Sequence, residues 1–169
     1  MKFGKIKTHF GIYGICLQNS KILCITKNRG PYKNRFDLPG GSQEYNESLV
    51  ETLYREIKEE TGREVNNEKS LVTLDFFVEE KNNFIVHHIA VLFRINISNN
   101  QLDIPNIVND GINDSLGCTW VNIKELNIAN SSPVILEALK YLKDGKIEKR
   151  SVYTCLLYTS DAADEGLGV

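Results

Sequence analysis

The stretch GSQEYNESLVETLYREIKEETG, Gly41–Gly62, places glycine, glutamate and arginine at set intervals. The spaced positions are Gly41, Glu47, Arg55, Glu56, Glu59, Glu60 and Gly62. Because each residue type makes up about 5 to 7% of ordinary composition, a random chain would match them on the order of once in 10⁹ starting points. The spacing therefore reflects a specific requirement of structure and chemistry.

This stretch predicts one amphipathic helix. Asn46 or Ser48 can cap its N-terminus, and the helix runs to about Thr61, where Gly62 can end it in a left-handed turn. The residues of its apolar arc are Leu49, Val50, Leu53, Tyr54 and Ile57. We expect this arc to pack on a core.

Three glutamates share the neighbouring arc of the helix. Glu56, Glu59 and Glu60 are close in sequence, so their like charges repel one another. Mg²⁺ or Mn²⁺ would relieve that repulsion, because both cations prefer carboxylate oxygens. The alternative is a solvated surface face, as for most charge runs. The preceding turn at residues 39–41, PGG, lets backbone approach a ligand closely and favours the metal site.

The motif resembles the signature of the Nudix hydrolases, G-x5-E-x7-R-E-U-x-E-E-x-G-U, where U is aliphatic. Every position matches except the last, where Arg63 stands, and that departure concerns packing rather than chemistry. The resemblance covers nearly all of residues 8–143. It implies an α/β/α sandwich with a mixed sheet, and metal-dependent hydrolysis of the pyrophosphate bond in a nucleoside diphosphate derivative.

The resemblance also implies residue roles. Glu59 and Glu60 match the principal metal ligands, and Gly40 matches the residue that lends a backbone carbonyl. Glu56 matches the glutamate that is the general base in several members and only a metal ligand in others. Arg55 matches the arginine that orients that glutamate through a charge-assisted hydrogen bond.

The same resemblance implies that three further residues support the motif and that a late loop supplies an extra metal ligand. Gly41, Glu47 and Gly62 support the motif. Asp114 is the first candidate for an extra carboxylate ligand from a late loop, and Asp110 is the second. Water is the expected nucleophile, because no Ser, Cys or His occurs in a recognisable arrangement for covalent catalysis.

The substrate-binding predictions rest on charge and aromaticity. A basic patch is formed by Lys27, Arg29, Lys33 and Arg35, and it can meet phosphates or be an ordinary solvated loop. Phe10, Tyr13, Tyr32 and Phe36 can stack on a base or belong to the core. We select Arg29, Arg35 and Phe36 as the substrate-binding candidates.

A nucleoside triphosphate or a damaged nucleotide is the predicted substrate. Some Nudix subgroups carry a downstream proline for ADP-ribose, a tyrosine for dinucleoside polyphosphates or an SQPWPFPQS-like run for NADH. After Gly62 the chain has no proline until Pro105, no tyrosine until Tyr141 and no such run. The alternatives are ADP-ribose or another nucleotide sugar, and a regulatory Nudix module that binds a nucleotide without turnover. An isoprenoid diphosphate isomerase would need a catalytic cysteine that we cannot assign.

Composition agrees with one compact enzyme domain. The chain has 169 residues, of which 41% are hydrophobic, and a net charge of -2. This charge gives no general attraction to nucleic acid or anionic membranes. No apolar run or signal pattern suggests membrane insertion or export, and the cysteines lack C-x-x-C spacing. We expect a cytoplasmic monomer or homodimer whose partner is a small nucleotide.

Residues 155–169 differ in character from the rest of the chain. The run CLLYTSDAADE back-translates into a sequencing-library adapter. We therefore predict one Nudix domain over residues 1–154 and a non-native tail over residues 155–169. Resequencing the locus tests this prediction.

Other segments predict the remaining elements. Strands are expected at 8–18, 21–27, 71–80 and 84–97, and again in CTWVNI, residues 118–123. His87 and His88 should point to opposite faces of their strand. A second helix should begin at Pro133 with Ser132 as its cap.

Overall fold

The computed structural model describes residues 4–80, 83–100, 102, 107–108, 111–112 and 115–154. Its strands are β1 (Ile6–Ile15), β2 (Leu17–Gln18), β3 (Lys21–Lys27), β4 (Phe36–Asp37), β5 (Gly40–Gly41), β6 (Val65–Glu80), β7 (Phe84–Ile97), β8 (Ile107–Val108), β9 (Gly111–Ile112), β10 (Ser115–Asn122) and β11 (Val152–Thr154). Its α-helices are α1 (Leu49–Thr61) and α2 (Pro133–Asp144). Neither of these helices is long and apolar enough to cross a membrane.

The larger sheet in the described part of the chain has the strand order β11-β6-β7-β1-β5. β1 runs parallel to β7, and β11 runs parallel to β6. The β6–β7 and β1–β5 pairs are antiparallel. A smaller sheet contains β10, β3 and β2, with β4 paired to β3. The larger sheet is therefore mixed, as predicted.

The two α-helices pack on opposite faces of the larger sheet. Ile12 of β1 belongs to an apolar cluster with Leu53 and Ile57 of α1. The next residue, Tyr13, belongs to a second cluster with Val134 and Ile135 of α2. Successive residues of a strand point to opposite faces, so the sheet lies between the helices. This arrangement confirms the predicted α/β/α sandwich.

The caps of α1 agree with the prediction and decide between the two capping candidates. Ser48 is the N-cap, and it forms a reciprocal capping box with Glu51. Asn46 instead adopts a left-handed conformation with φ 68° in the preceding turn. Gly62 ends the helix with φ 65°, where glycine has no steric penalty.

The buried face of α1 differs from the predicted apolar arc. Tyr54 is 40% exposed, and its hydroxyl donates to the Glu68 carboxylate. Glu56 and Glu60 are buried, together with Leu53 on the same side of the helix. The prediction placed Tyr54 on the core face because it considered only apolar residues. The buried face of α1 therefore includes the carboxylates of Glu56 and Glu60, which accept hydrogen bonds from Arg55 and from the Gly40 N–H.

Strand boundaries show the other differences. β6 begins at Val65, before the predicted residue 71, because main-chain pairing with β7 continues through polar residues. The chain leaves the larger sheet after Ile15, so the predicted strand 8–18 is divided into β1 and β2, and the Asn19–Ser20 turn connects β2 to β3. β11 was not predicted. Ser132 and Pro133 begin α2 as predicted.

Candidate active site

The turn before α1 brings two glycines against β1. Gly40 pairs with Tyr13, and Gly41 pairs with Ile12. A Cβ at Gly40, whose φ is 144°, would lie 2.1 Å from the Ile12 carbonyl oxygen. A Cβ at Gly41 would lie 2.7 Å from the Glu56 Oε1 atom. Gly40 therefore excludes larger residues, whereas the absence of a side chain at Gly41 makes room for the Glu56 carboxylate.

Glu60 is held by the same turn. Its side chain is buried, and its Oε2 atom accepts a hydrogen bond of 2.8 Å from the Gly40 N–H. This contact joins the end of α1 to the turn before it. The sequence analysis predicted that the Gly40 carbonyl binds a metal, which stays a prediction. The structure shows a different contact, in which the Gly40 N–H positions Glu60.

Arg55 joins the loop to the glutamates of the helix. Its Nε and Nη2 atoms donate to the two carboxylate oxygens of Glu47, at 2.7 Å and 3.0 Å. Nη2 also donates to the Ser42 carbonyl at 3.0 Å. Nη1 donates to Glu56 Oε1 at 2.9 Å and to Glu59 Oε2 at 3.3 Å. One guanidinium thus orients three carboxylates, including the predicted partner Glu56.

Arg55 and Glu47 form an ion pair in which each partner favours the charged form of the other. The hydrogen bond from Arg55 lowers the pKa of Glu47 from 4.5 to about 2. The pKa of Arg55 is raised in turn, mainly by its bond to Glu47. Thr52 also donates to Glu47 at 2.9 Å. Glu47 therefore has a full set of structural partners, which agrees with a supporting role.

The glutamates have the chemistry that Mg²⁺ or Mn²⁺ requires. Glu56, Glu59 and Glu60 all offer hard carboxylate oxygens beside the glycine turn. No three His, Cys, Asp or Glu side chains of the described residues are already arranged around one point as a metal site. Glu60 faces the Gly40 N–H, while Glu56 and Glu59 share one Arg55 nitrogen. Asp114 and Asp110 lie outside the described residues.

A cavity of about 410 Å³ lies next to the turn. Its walls are formed by Lys7, His9, Tyr13, Lys27, Arg29, Gly30, Pro31, Tyr32, Asp37, Glu80, Phe84, Val86 and His88. Tyr13 relates the cavity to the turn, because its backbone pairs with Gly40 and the same residue lines the cavity. Glu56, Glu59 and Glu60 are not among the residues that line it.

The three predicted substrate-binding residues have different positions. Arg29 is exposed and lines the cavity. Arg35 is buried, and its Nη1 atom donates to the carbonyls of Ile128 and Ser131 at 2.6 Å and 3.2 Å. Phe36 is half-buried in β4 and packs against the core. The contacts of Arg35 and Phe36 indicate structural roles.

A buried polar network in the cavity wall goes beyond the sequence analysis. The Tyr13 hydroxyl lies 2.9 Å from His88 Nε2, and the Tyr32 hydroxyl lies 3.1 Å from His88 Nδ1. Burial lowers the pKa of His88 well below its usual value, with a smaller effect from His9. His87 points to the opposite face and contacts Asp75, as the alternation predicts. The sequence offered no signal that these tyrosines meet His88.

The chain is similar to known proteins in sequence and in fold. The family model described as NUDIX domain matches residues 7–142. An ADP-ribose pyrophosphatase of Methanocaldococcus jannaschii is 49% identical over 49 residues, which are 29% of this chain and 29% of that protein. The matched segment thus spans well under two thirds of that relative.

Solved structures share the fold at low sequence identity. A MutT NUDIX hydrolase from Burkholderia pseudomallei superimposes with a TM-score of 0.64 at 20% identity, over 79% of this chain and 97% of that chain. The NUDIX domain of Shewanella oneidensis NrtR, solved in complex with ADP ribose, has a TM-score of 0.58 at 15% identity, over 86% of this chain and 90% of that chain. The predicted pyrophosphohydrolase class agrees with the name of the Methanocaldococcus jannaschii relative. The family match over most of the chain shows that the protein belongs to the NUDIX domain family.

Proposed function

We propose that this protein is a divalent-cation-dependent hydrolase that cleaves the pyrophosphate bond of a nucleoside diphosphate derivative. The observation that carries this proposal is the arrangement of Glu56, Glu59 and Glu60 around Arg55 and the glycine turn. The adjoining cavity provides space for the rest of the substrate. Carboxylates clustered beside a glycine turn in this way suit a metal-bound diphosphate.

Different residues of the site have different roles in the proposed reaction. Glu56, Glu59 and Glu60 would hold the cation. When bound, the cation supplies neutralisation of phosphate charge and a lower pKa for attacking water. Arg55 fixes the orientation of Glu56, which is then placed to accept a proton from that water or to serve only as a ligand.

Positive charge at the cavity suits a polyphosphate. Lys7, Lys27 and Arg29 lie in its wall, where they outnumber the two acidic residues, Asp37 and Glu80. These cations can attract the phosphates of an incoming nucleotide while the glutamates hold the metal. A nucleoside triphosphate or a damaged nucleotide is our first substrate candidate, in line with the MutT-named neighbour of the same fold.

ADP-ribose is the second candidate. The relative with the 49% identical segment is named an ADP-ribose pyrophosphatase, and one neighbour of the same fold was solved with ADP ribose. The cavity has the size expected of a small-ligand pocket and would accept either class of nucleotide. A measurement of turnover is therefore needed to distinguish nucleoside triphosphates from ADP-ribose.

The test is a substrate panel for the full chain with Mg²⁺ or with EDTA. The panel holds the common and oxidised deoxynucleoside triphosphates, ADP-ribose, diadenosine polyphosphates and nucleotide sugars. We expect rapid Mg²⁺-dependent release of products from one class, and mass spectrometry in ¹⁸O-labelled water would show which phosphorus is attacked. Tight nucleotide binding without turnover across the panel would contradict the hydrolase and favour the regulatory module.

A further inference from the structure

The face of the larger sheet that carries α1 is only partly covered by that helix. Ile12 packs in the apolar cluster of α1, and Phe10, two residues earlier on β1, points to the same face. Phe10 is 37% exposed, and Ile6, at the start of the strand, is 57% exposed. The part of this face beyond α1, which we call the open face, therefore presents large apolar side chains to solvent.

The strand register gathers further apolar residues on the open face. Residues paired across neighbouring strands point to the same side of a sheet, and here the pairing continues from β1 through β7 and β6 to β11. The apolar residues that share the face are Ile6, Phe10, Phe77, Ile85, Ile89 and Val152. An exposed patch of neighbouring apolar side chains is typical of an interaction site.

The polar groups at the centre of the open face have partners on the face itself. His87 Nε2 lies 2.8 Å from the Asp75 carboxylate. The His87 ring stacks on Phe77 with 4.5 Å between the ring centroids, and the Arg150 guanidinium lies 4.2 Å from the centroid of the same phenylalanine ring. Because these groups keep their partners when the face is covered, covering it costs less than burying isolated polar groups.

The open face also carries one acid and one base that are not paired. Glu79 follows Phe77 by two residues on β6 and so points to the same face as the Arg150 guanidinium, which lies over Phe77. Both residues are exposed, and neither makes an ion pair with any other residue of the described ranges. A surface that carries one available charge of each sign can complement a second copy of itself, because a twofold rotation exchanges the two signs.

We infer that this protein forms a twofold homodimer through the open face. A twofold axis that runs across the strands lays the apolar side of each copy, at β1 and β7, on the same side of the other copy. The same rotation brings Arg150 beside the partner subunit's Glu79. The two sheets then pack face to face, as in a sandwich of aligned sheets.

The dimer leaves the cavity accessible. Lys7 and His9 alternate with the open-face residues of β1, and both line the cavity on the opposite side of the sheet. The dimer is therefore separate from the proposed hydrolysis and does not depend on it.

The size of the open face suits a weak dimer. Four strands spaced by about 4.8 Å, with three same-face residues each at about 6.7 Å intervals, cover about 400 Å². Two copies together would bury about 800 Å² or somewhat more, which is at the low end for specific interfaces. We therefore expect a dissociation constant of about 1 to 100 µM.

The test is sedimentation velocity of the full chain without nucleotide, from about 1 to about 200 µM, a range that brackets the expected dissociation constant. The mass should rise with concentration from 19.2 kDa towards twice that value. Ile6→Glu should weaken the dimer about 100-fold, because the dimer buries this position twice. Leu116→Glu is the matched control, because Leu116 is 67% exposed in β10 of the smaller sheet, and it should keep the wild-type dissociation constant.

A charge exchange tests the twofold arrangement and gives a second measurement if Ile6→Glu does not fold. Arg150→Glu and Glu79→Arg should each weaken the dimer about 10-fold or more, because each places like charges together in two symmetric contacts. The two changes in one chain restore opposite charges, so the double variant should dimerise nearly as well as wild type.

A full chain that stays monomeric over the whole range would overturn the inference, and the open face would then belong to another partner or to the segment after Thr154. Equal dissociation constants for wild type and folded Ile6→Glu would overturn it as well, because the copies would meet elsewhere. A double charge variant no tighter than the single variants would contradict the twofold arrangement.

Discussion

At the scale of single residues, Arg55 joins the parts of the site that the chain separates. Its guanidinium contacts Glu47 and Ser42 in the loop and Glu56 and Glu59 on the helix. The planar guanidinium presents several donors in fixed directions, which a lysine ammonium cannot do. The orientation of Glu56 therefore depends on this one side chain.

Arg55→Lys should lower kcat by about 10- to 100-fold, the usual effect of losing a residue that orients a ligand. The charge is kept, so the loss would come from geometry. Arg150→Lys is the matched control, because Arg150 is exposed and stacks on Phe77 away from the glutamates. Steady-state kinetics of both variants would test the prediction, and an unchanged kcat in Arg55→Lys would contradict it.

Glu47 gives a prediction about acid stability. Its folded-state pKa of about 2 lies below the unfolded value of 4.5. The ionised carboxylate therefore stabilises the fold fully above pH 4.5, and this contribution is lost as the pH falls from 4.5 towards 2. Glu47→Gln should be less stable than wild type at pH 7, and the difference should shrink over that acid range.

Urea denaturation of both proteins between pH 2 and pH 7 would measure the effect. Glu64→Gln is a suitable control, because this glutamate is exposed and its ion pair with Lys58, at 3.6 Å, is the only one it makes with the described residues. A difference between wild type and Glu47→Gln that stays constant over the whole range would argue against the ion pair with Arg55.

The sequence predicted some residue contacts and not others. The bond between Arg55 and Glu56 was expected, because both residues belong to one local motif with fixed spacing. The burial of Arg35 was not expected, because its partner Ile128 is 93 residues away. The bond of Tyr13 to His88 spans 75 residues and was missed for the same reason. Local spacing is visible in a sequence, whereas tertiary partners are not.

At the scale of elements, the capping box fixes where α1 begins. The Ser48 hydroxyl accepts from the Glu51 N–H at 3.2 Å, and the Glu51 carboxylate accepts from the Ser48 N–H at 2.7 Å. Ser48→Ala should lower the free energy of unfolding by about 1 kcal/mol. The kcat should change little, because the cap lies at the opposite end of the helix from Glu60.

Ser48→Asp is the control, since aspartate is an equally good cap. Thermal or urea unfolding of both variants measures the effect. Equal stability of Ser48→Ala and wild type would show that the cap contributes nothing here, and a large fall in kcat would show that it also positions the site.

Elements with local signals were predicted best. Both α-helices carry caps and amphipathic spacing, so their positions followed from the sequence. The early start of β6 and the existence of β11 were missed, because both depend on pairing with distant strands. The division of β1 from β2 was missed too, since a change of sheet leaves no periodic signal.

At the scale of the whole molecule, β11 belongs to the folded core. Tyr153 is buried, and its hydroxyl donates to the Glu137 carboxylate of α2 at 2.5 Å. Lys140 donates to the same carboxylate at 2.8 Å. β11 also pairs with β6. The described fold therefore uses residues up to Thr154, the last residue before the predicted non-native tail.

Two truncations would test this. A chain ending at Thr154 should unfold at the same temperature as the full chain. A chain ending at Gly145 should lose about 3 kcal/mol or more, because it leaves the space of a buried aromatic ring and removes a partner of Glu137. Marked loss of stability in the chain that ends at Thr154 would instead give residues 155–169 a role in the fold.

The most direct measurement of the central claim is turnover and Mn²⁺ binding of Glu59→Gln and Glu60→Gln, beside Glu64→Gln as the control of the same chemical change. We predict that both site variants keep the wild-type unfolding temperature nearly unchanged, bind Mn²⁺ more weakly and lose about 10²- to 10³-fold in kcat. The control should match wild type. Near wild-type turnover and Mn²⁺ affinity in both site variants would contradict the assignment of these glutamates to a catalytic metal site.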